Sequence, residues 1–577
     1  MFWTGRELFV DKAVRWCYTK AKDICEVQGM KKLLAFLLLA AMLVSLVACG
    51  ETKKKSGKRD DDDEDETSYL DESDSSVGEG TPESLLLISN ADELFKFAEE
   101  YNTYKLPRDI YVKLATDIVV NDIADVYMEL TADALDGYRM WNSIKNFEGV
   151  FDGDGHTIYG MVCCLETNEE GVVTDPSALF GSVTATGMVL NVTLKDSFFT
   201  SNTNNYVAGI CGILRGGTVR NCHNYARLVG YTSCGGIVAS NGGGLIQDCV
   251  NYADIIHAED AKNMGLGGIC GFHCSDYEKQ ITAKVTGCVN YGTIQGNGAA
   301  GGIAGYSRGF IENCINKGDV SGRQAGGIAA SNTSNGAYEI GNIAGCINYG
   351  AVFATREAGG IAAVNSFAEV ENRYGIIRSA NYGDVKSNYS AGGICMYING
   401  GLLEESYNMG DVLVYEVDGQ EYSSGEAAGI CVRDDENTIV RNCFNAGDVT
   451  ASKEASGLCD SIRGQWMNCY SGGMITSRTK GAYGIAKEAY DDTARIQNGV
   501  FIGEITGNDS SNPMIKDLYD TDYGDRGFSC STSLWNRELA LDASWYIGLD
   551  FETVWVMGNS EGYPYPTLQN QPEDFTK

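Results

Sequence analysis

Cysteine is the residue type in this chain whose spacing most suggests chemistry. Cys222, Cys249, Cys288, Cys314, Cys346 and Cys443 each stand two residues before an Asn, and Cys469 two before a Ser. Stacked in neighbouring parallel strands at about 4.8 Å, such thiols would fall inside disulfide range. Yet Ser379 and Ser406 take the Cys place in two copies. Of the 20 cysteines, Cys17, Cys25 and Cys49 lie near the N-terminus, which leaves an odd number beyond them. The column is therefore expected to hold free thiols packed as small apolar groups. Cys270-Gly-Phe-His273-Cys274 is the one local cluster with ligand character. A zinc site needs a second such pair, so no metal site and no cofactor is expected.

Catalytic groups are sparse. The chain has 4 His, no His-Glu-x-x-His and no Gly-x-Ser-x-Gly, so neither a zinc hydrolase nor a nucleophile elbow is written in it. Gly153-Asp154-Gly155-His156 reads as a turn, and no catalytic residue is assigned. Two columns are better placed to bind something. If Val320, Val385, Val412 and Val449 point inward, then Asp319, Asp384, Asp411 and Asp448 point out. Asp384, Asp411 and Asp448 lie in consecutive copies of a repeat, about 5 Å apart. They read first as a solvated face that keeps stacks from associating sideways, and they mark the row where a cation or cationic ligand would sit. Tyr225, Tyr252, Tyr291, Tyr349 and Tyr382 form a neighbouring aromatic column. Facing outward it would stack sugar rings, but its direction is left open by the bend beside it.

Both columns belong to a repeat. Cys314-Ile-Asn316-Lys-Gly318-Asp-Val320 recurs with little change from Cys222 to Cys469, each copy preceded by a second, Gly-rich signature seen at its clearest in Ala300-Gly301-Gly302-Ile303. Successive motif asparagines are 26 to 39 residues apart, so a fixed core tolerates loops of varying length. A unit of this kind buries its apolar residues only by stacking on its neighbours. Ile315 and Val320, five apart, cannot share one face of an unbroken strand, so the chain bends at Asn-x-Gly. Asn and Gly both tolerate the left-handed conformation suited to a bend. The asparagines are expected to hydrogen-bond from coil to coil.

The two motifs in this order resemble the GLUG repeat family of bacterial surface proteins. The resemblance implies an all-β, right-handed parallel β-helix (solenoid) of about ten GLUG-type coils over residues 201–506. Parallel crossovers are almost always right-handed. The open ends are expected to be covered. Residues 83–200 supply the N-terminal cap and first coils: a helix starts at Ser89-Asn-Ala-Asp92, with Leu94, Phe97, Ala98 and Tyr101 on one face, and coils follow at Phe147–Ile158 and Leu179–Gly181. Residues 507–577 supply the C-terminal cap, with a short helix through Leu534, Glu538 and Leu541 and a closing segment from Trp545 to Pro566.

Upstream, Lys31 and Lys32 precede an apolar run, Leu33 to Ala48, that is shorter than a ~20-residue membrane span. Leu46-Val47-Ala48-Cys49 resembles a bacterial lipobox, which implies lipidation of Cys49 and an anchored lipoprotein on the outer side of the cell membrane. Residues 30–49 are then a signal peptide. Residues 1–29 read as a misassigned leader ahead of a start at Met30, and 50–82 as a disordered acidic tether built around the carboxylate run Asp60–Glu66. The net charge of -34 excludes nucleic acid as a partner. The leading expectation is a non-enzymatic surface protein binding an extracellular glycan or protein. A β-helix polysaccharide lyase or glycoside hydrolase, and a structural spacer of the envelope, are the alternatives.

Overall fold

The computed structural model describes residues 85–165, 176–201, 206–230, 232–257, 265–275, 281–334, 341–367, 374–415, 425–489, 494–506, 529–530, 541–546, 549–558 and 563–572. The expected leader, signal peptide, Cys49 and tether lie outside them, as does the expected helix at Leu534 and Glu538. Within the unit spanning Thr81–Lys577, the chain is a parallel β-helix. One coil shows the plan. Phe310–Glu312 is followed by a bend and by Ile315–Asn316, then Val320–Gly326, then Ala329–Thr333. Each strand pairs in parallel with its counterpart in the coils before and after, as Asn290, Asn316 and Asn348 do in strict register. The ladder that contains Ala329–Thr333 has eleven strands among the described residues, from Phe180–Val183 to Ala486–Ala489.

The core is a set of inward columns that repeat from coil to coil. Ile311, Cys314, Val320, Ala325, Ile328 and Ala329 are all buried, as are their counterparts Ile343, Cys346, Val352, Ala358, Ile361 and Ala362. The expected asparagine ladder is present. Asn224, Asn251, Asn290, Asn316, Asn348, Asn381, Asn408 and Asn445 are fully buried. Each donates through Nδ2 to Oδ1 of the next, at 2.7–3.0 Å, as far as Asn445. From Asn251 onward the same nitrogen also donates to the carbonyl two residues ahead, as Asn316 does to Gly318 at 2.8 Å. A buried amide left without partners would cost about 1–3 kcal/mol, so the column must be complete to be stable.

This ladder explains why a Gly stands before the Ile or Leu of the signature in every copy, from Gly209 to Gly457. A Cβ on Gly302 would sit 2.1 Å from the Gly327 carbonyl oxygen and 2.3 Å from Cγ of Asn316. Gly268, Gly327, Gly360 and Gly393 are confined in the same way by the next coil's carbonyl and by Asn290, Asn348, Asn381 and Asn408. The Gly of Asn-x-Gly is needed for close approach too: a Cβ on Gly318 would lie 2.0 Å from the Gly292 carbonyl oxygen.

The left-handed bend falls elsewhere than the sequence suggests. The chain does turn after Asn-x-Gly, but the positive φ belongs to the residue before the Cys, at Asn221, Asp248, Gly287, Asn313, Gly345, Arg378, Glu405, Asn442 and Asn468. That bend lets Cys314 point inward while Ile315 points outward, into a separate small cluster with Val289 and Ile347. The left-handed asparagines make a second, outer ladder, in which Asn221 donates to Asn191 at 2.8 Å and Asn498 to Asn468 at 2.8 Å.

The front of the stack is closed by helix α1, Ala91–Asn102, which buries Leu94, Phe97, Ala98 and Tyr101. Its capping box is one residue later than expected: Asn90 accepts from the Glu93 amide, and Glu93 accepts from the Ser89 amide at 2.7 Å. At the other end the closing segment does not sit over an open rung. Its antiparallel pair, Trp555–Met557 with Pro566–Leu568, lies along the side of several coils, against Tyr407, Phe444, Tyr470 and Val500.

The confinement of Gly302 predicts that Gly302→Ala lowers stability by about 3 kcal/mol or more, because backbone rather than a movable side chain meets the added carbon. Gln295→Ala, exposed on a neighbouring strand, should change it by less than about 0.5 kcal/mol. Urea unfolding of both variants checks this; equal midpoints would contradict the packing described.

Candidate ligand-binding face

The tyrosine column faces outward. Tyr252, Tyr291 and Tyr382 are 39%, 40% and 38% exposed, and Tyr225 and Tyr349 are half-buried. Because each lies one residue after the buried Asn, the coil register stacks their rings on one another. Tyr225 and Tyr252 are 4.2 Å apart and 5° from parallel, Tyr252 and Tyr291 5.1 Å and 2°, Tyr349 and Tyr382 5.1 Å and 19°. Lys317 fills the gap, its Nζ 5.5 Å from the Tyr291 ring and 5.8 Å from the Tyr349 ring, and Lys195 lies 4.7 Å from Tyr225. The result is a mixed aromatic and cationic ladder over the Val289, Ile315 and Ile347 strip, with Tyr349 packed on that strip. Burial, and then the hydrogen bond with Tyr252, push the Tyr225 phenol up to about 12.

This geometry changes what the column can recognise. Ring faces that cover one another along the stack are not open platforms for a sugar ring. What the ladder turns to solvent is ring edges and hydroxyls, which recognise hydrogen-bond partners.

The aspartate row has an internal task. Asp319 accepts from the Ala351 amide at 2.9 Å, Asp384 from Asp411 at 3.4 Å, Asp411 from Asp448 at 3.0 Å and Asp448 from Met474 at 2.7 Å, in each case from the equivalent turn of the next coil. Asp384 also pairs with Lys386 at 3.0 Å. The row does feel its own charge: burial first, and then the charges of Asp448 and Asp384, raise the Asp411 carboxyl, while the Asp448 amide opposes the rise.

The column thiols Cys222, Cys249, Cys288, Cys314, Cys346, Cys443 and Cys469 form no disulfide. Sγ of Cys314 donates to Glu312 in its own coil at 3.3 Å, and burial holds Cys222, Cys288, Cys346 and Cys443 well above the ordinary thiol range. A second inward thiol column, Cys395, Cys431 and Cys459, escaped the sequence reading; the last two sulfurs are 3.6 Å apart. Aligning the copies on Gly-x-Cys would have revealed it. His273 does not gather ligands. It is buried against Asn241 Nδ2 at 3.2 Å and the Phe310 carbonyl at 3.3 Å, and burial lowers its pKa to about 4. Gly153–His156 is a turn, with Asp154 and Gly155 left-handed and His156 held 3.1 Å from Asp117.

The sequence reading also missed an acidic cluster. Glu426 and Glu454 are register partners, in the column that holds Gln324, Glu357 and Ser390 in earlier coils. Asp460 joins them, with the ligand oxygens all within 4.8 Å of one another. The position before Ala in each Gly-Ile signature carries this signal once the copies are aligned. Basic groups already answer the cluster: Lys487 lies 2.7 Å from Glu454, 3.4 Å from Glu488 and 4.0 Å from Asp460, and Arg433 lies 2.6 Å from Glu426. Burial raises Asp460 to about 7, with Lys487 opposing and Glu426, Glu454 and Glu488 reinforcing. Nearby, burial raises Asp434 to about 6 although Trp466 and the Arg463 and Gly464 amides donate to it.

No family model matches the chain. Over 167 residues it is 29% identical to Halomucin from Haloquadratum walsbyi, a match that takes in 28% of this chain and 2% of that protein. A solved structure of a Bacteroides ovatus protein, described as a candidate immunoglobulin A1 protease, aligns with 84% of this chain and 91% of its own at 14% identity and a TM-score of 0.29. Among the described residues no helix is long and apolar enough to cross a membrane.

The raised Asp460 carboxyl gives a signed pH dependence. Its folded value lies above the roughly 3.9 of an unfolded Asp, so between about pH 4 and 7 the folded state holds a proton the unfolded state has lost. Its contribution is therefore most favourable in acid and is lost as pH rises through about 7. Thermal midpoints from pH 5 to 8 should fall more for the wild type than for Asp460→Asn; parallel curves would remove the assignment.

Proposed function

We propose that this protein is a GLUG-repeat lipoprotein, anchored through Cys49 to the outer side of a bacterial membrane, whose tyrosine ladder binds an extracellular ligand without turning it over. The observation that carries this reading is the ladder. An outward column of stacked tyrosines running over several coils, with a lysine beside its first ring and another in its gap, is a rigid surface of aromatic edges, phenol hydroxyls and positive charge. On a chain of net charge -34, that composition is unusual and suits a partner bearing hydrogen-bond acceptors. Rigidity matters too, since rings already fixed by the stack lose little freedom on binding.

A carbohydrate-active enzyme is the second reading, and the Glu426, Glu454 and Asp460 cluster is the feature that favours it. A carboxyl raised to about 7 among neighbouring carboxyls is a pattern from which acid and base pairs are built, but here Lys487 and Arg433 already pair with the cluster.

A glycan and protein array probed with the intact protein, run beside a reducing-sugar release assay, tests both readings. Binding that Tyr252→Ala with Tyr291→Ala weakens about tenfold or more, with no sugar released, is the expected result. Release of sugar that Glu454→Gln abolishes would replace the binding role with the enzymatic one.

A further inference from the structure

The coils from Tyr407 to Tyr470 carry the same outer strip as the tyrosine ladder, yet they are covered differently. In the open coils at Val289 and Ile347 the residue before the buried Asn is aliphatic and the residue after it is Tyr291 or Tyr349; between them Ile315 is followed by Lys317, and ahead of them His223 precedes Asn224 and Tyr225. In the covered coils the residue before the Asn is aromatic (Tyr407, Phe444, and Tyr470 before Ser471), and the residue after it is Met409, Ala446 or Gly472. That exchange makes room for the C-terminal hairpin. A Cβ on Gly472 would lie 2.8 Å from the Tyr563 hydroxyl, and Trp555 rests 6.0 Å from Phe444 and 5.8 Å from Tyr470, ring to ring.

The hydroxyls of the covered column are donors to this polypeptide. Tyr470 donates to the Pro566 backbone carbonyl, and Tyr407 to the Gln571 side-chain carbonyl at 3.2 Å. The covered and open columns are also continuous: Tyr382, the last ring of the open ladder, lies hydroxyl to hydroxyl with Tyr407 at 2.7 Å. One surface therefore runs from Tyr225 to Tyr470, and where it is covered the cover is an aromatic-rich hairpin that accepts from the column's hydroxyls through the Pro566 backbone carbonyl and the Gln571 side-chain carbonyl.

From this continuity we propose that the ligand of the open ladder is a polypeptide: an extended segment with aromatic side chains whose backbone carbonyls accept from the hydroxyls of Tyr252 and Tyr291. The inference rests on the ladder being the binding face and narrows its partner to protein. The stacked rings offer their edges and not their faces, so a neutral sugar has no platform there, whereas a strand of peptide presents acceptors at regular spacing along such a row.

A fluorescent synthetic peptide of residues 551–571, the segment seated on the covered column, is the probe. It is titrated against the intact protein, the Tyr252→Phe with Tyr291→Phe variant, which keeps the stacked rings, and Thr450→Ala on another strand as a control. A panel of neutral and acidic polysaccharides is titrated in parallel. Saturable peptide binding, weakened about tenfold by loss of the two hydroxyls and unchanged by Thr450→Ala, supports the proposal. Peptide binding that the Phe variant leaves intact reports exchange with the resident hairpin and overturns it. Polysaccharide binding sensitive to the same variant, with none of the peptide, overturns the polypeptide assignment while keeping the ladder as the binding face. Binding of neither probe overturns the assignment as well, and the array, read separately, decides whether the ladder binds anything.

Discussion

From Asn224 to Asn408 each buried asparagine of the stack donates to the next coil's amide oxygen and, from Asn251 onward, also to a carbonyl of its own turn. A column of such groups is stable only if every coil presents its amide at the same height and the same depth. That requirement reaches the rest of the molecule. It demands the glycines of Gly-Gly-Ile, since a Cβ there would meet the amide and the next carbonyl. It also places the tyrosine that follows each amide on the outer face in register with its neighbours. The ring ladder is thus a consequence of the amide ladder: one hydrogen-bonding geometry inside sets the spacing of a surface outside.

The repeat was legible in the sequence because stacking makes the same demand of every copy. Asn316, Gly318 and Gly302 recur for reasons of contact with the next coil, and such reasons write a period into the chain. What the sequence hid were features settled by direction and by neighbours. The left-handed bend lies at the residue before the Cys or Ser and not at Asn-x-Gly; Asn, Asp or Gly fills it in most coils, but Arg378 and Glu405 stand there in two and blur the pattern. The outward turn of the tyrosines depended on that bend. Glu426, Glu454 and Asp460 come together only when the coils are overlaid, because they belong to three different strands in two coils.

The two columns first considered for ligands fare differently in physical terms. The aspartates cap amides at the turn of each coil, so their regular recurrence has a structural cause that needs no partner. The tyrosines share the covering of an apolar strip and so have a structural cause as well, but they reach it with hydroxyls and ring edges in solvent. Where the C-terminal hairpin does the covering instead, the tyrosine position holds Met409, Ala446 or Gly472. This exchange argues that the strip must always be covered, and that the choice of tyrosine over a wholly apolar cover leaves a polar surface along the open coils.

The central claim, that coils are held to one another through the amide column, is tested most directly by hydrogen–deuterium exchange on Asn316→Ala. The account predicts faster exchange in the mutated coil and in both neighbours, around residues 286–292 and 342–350, because removing one amide strips a partner from Asn290 on one side and from Asn348 on the other. Exchange that quickens only within residues 314–320, with both neighbouring coils as protected as in the wild type, would contradict it.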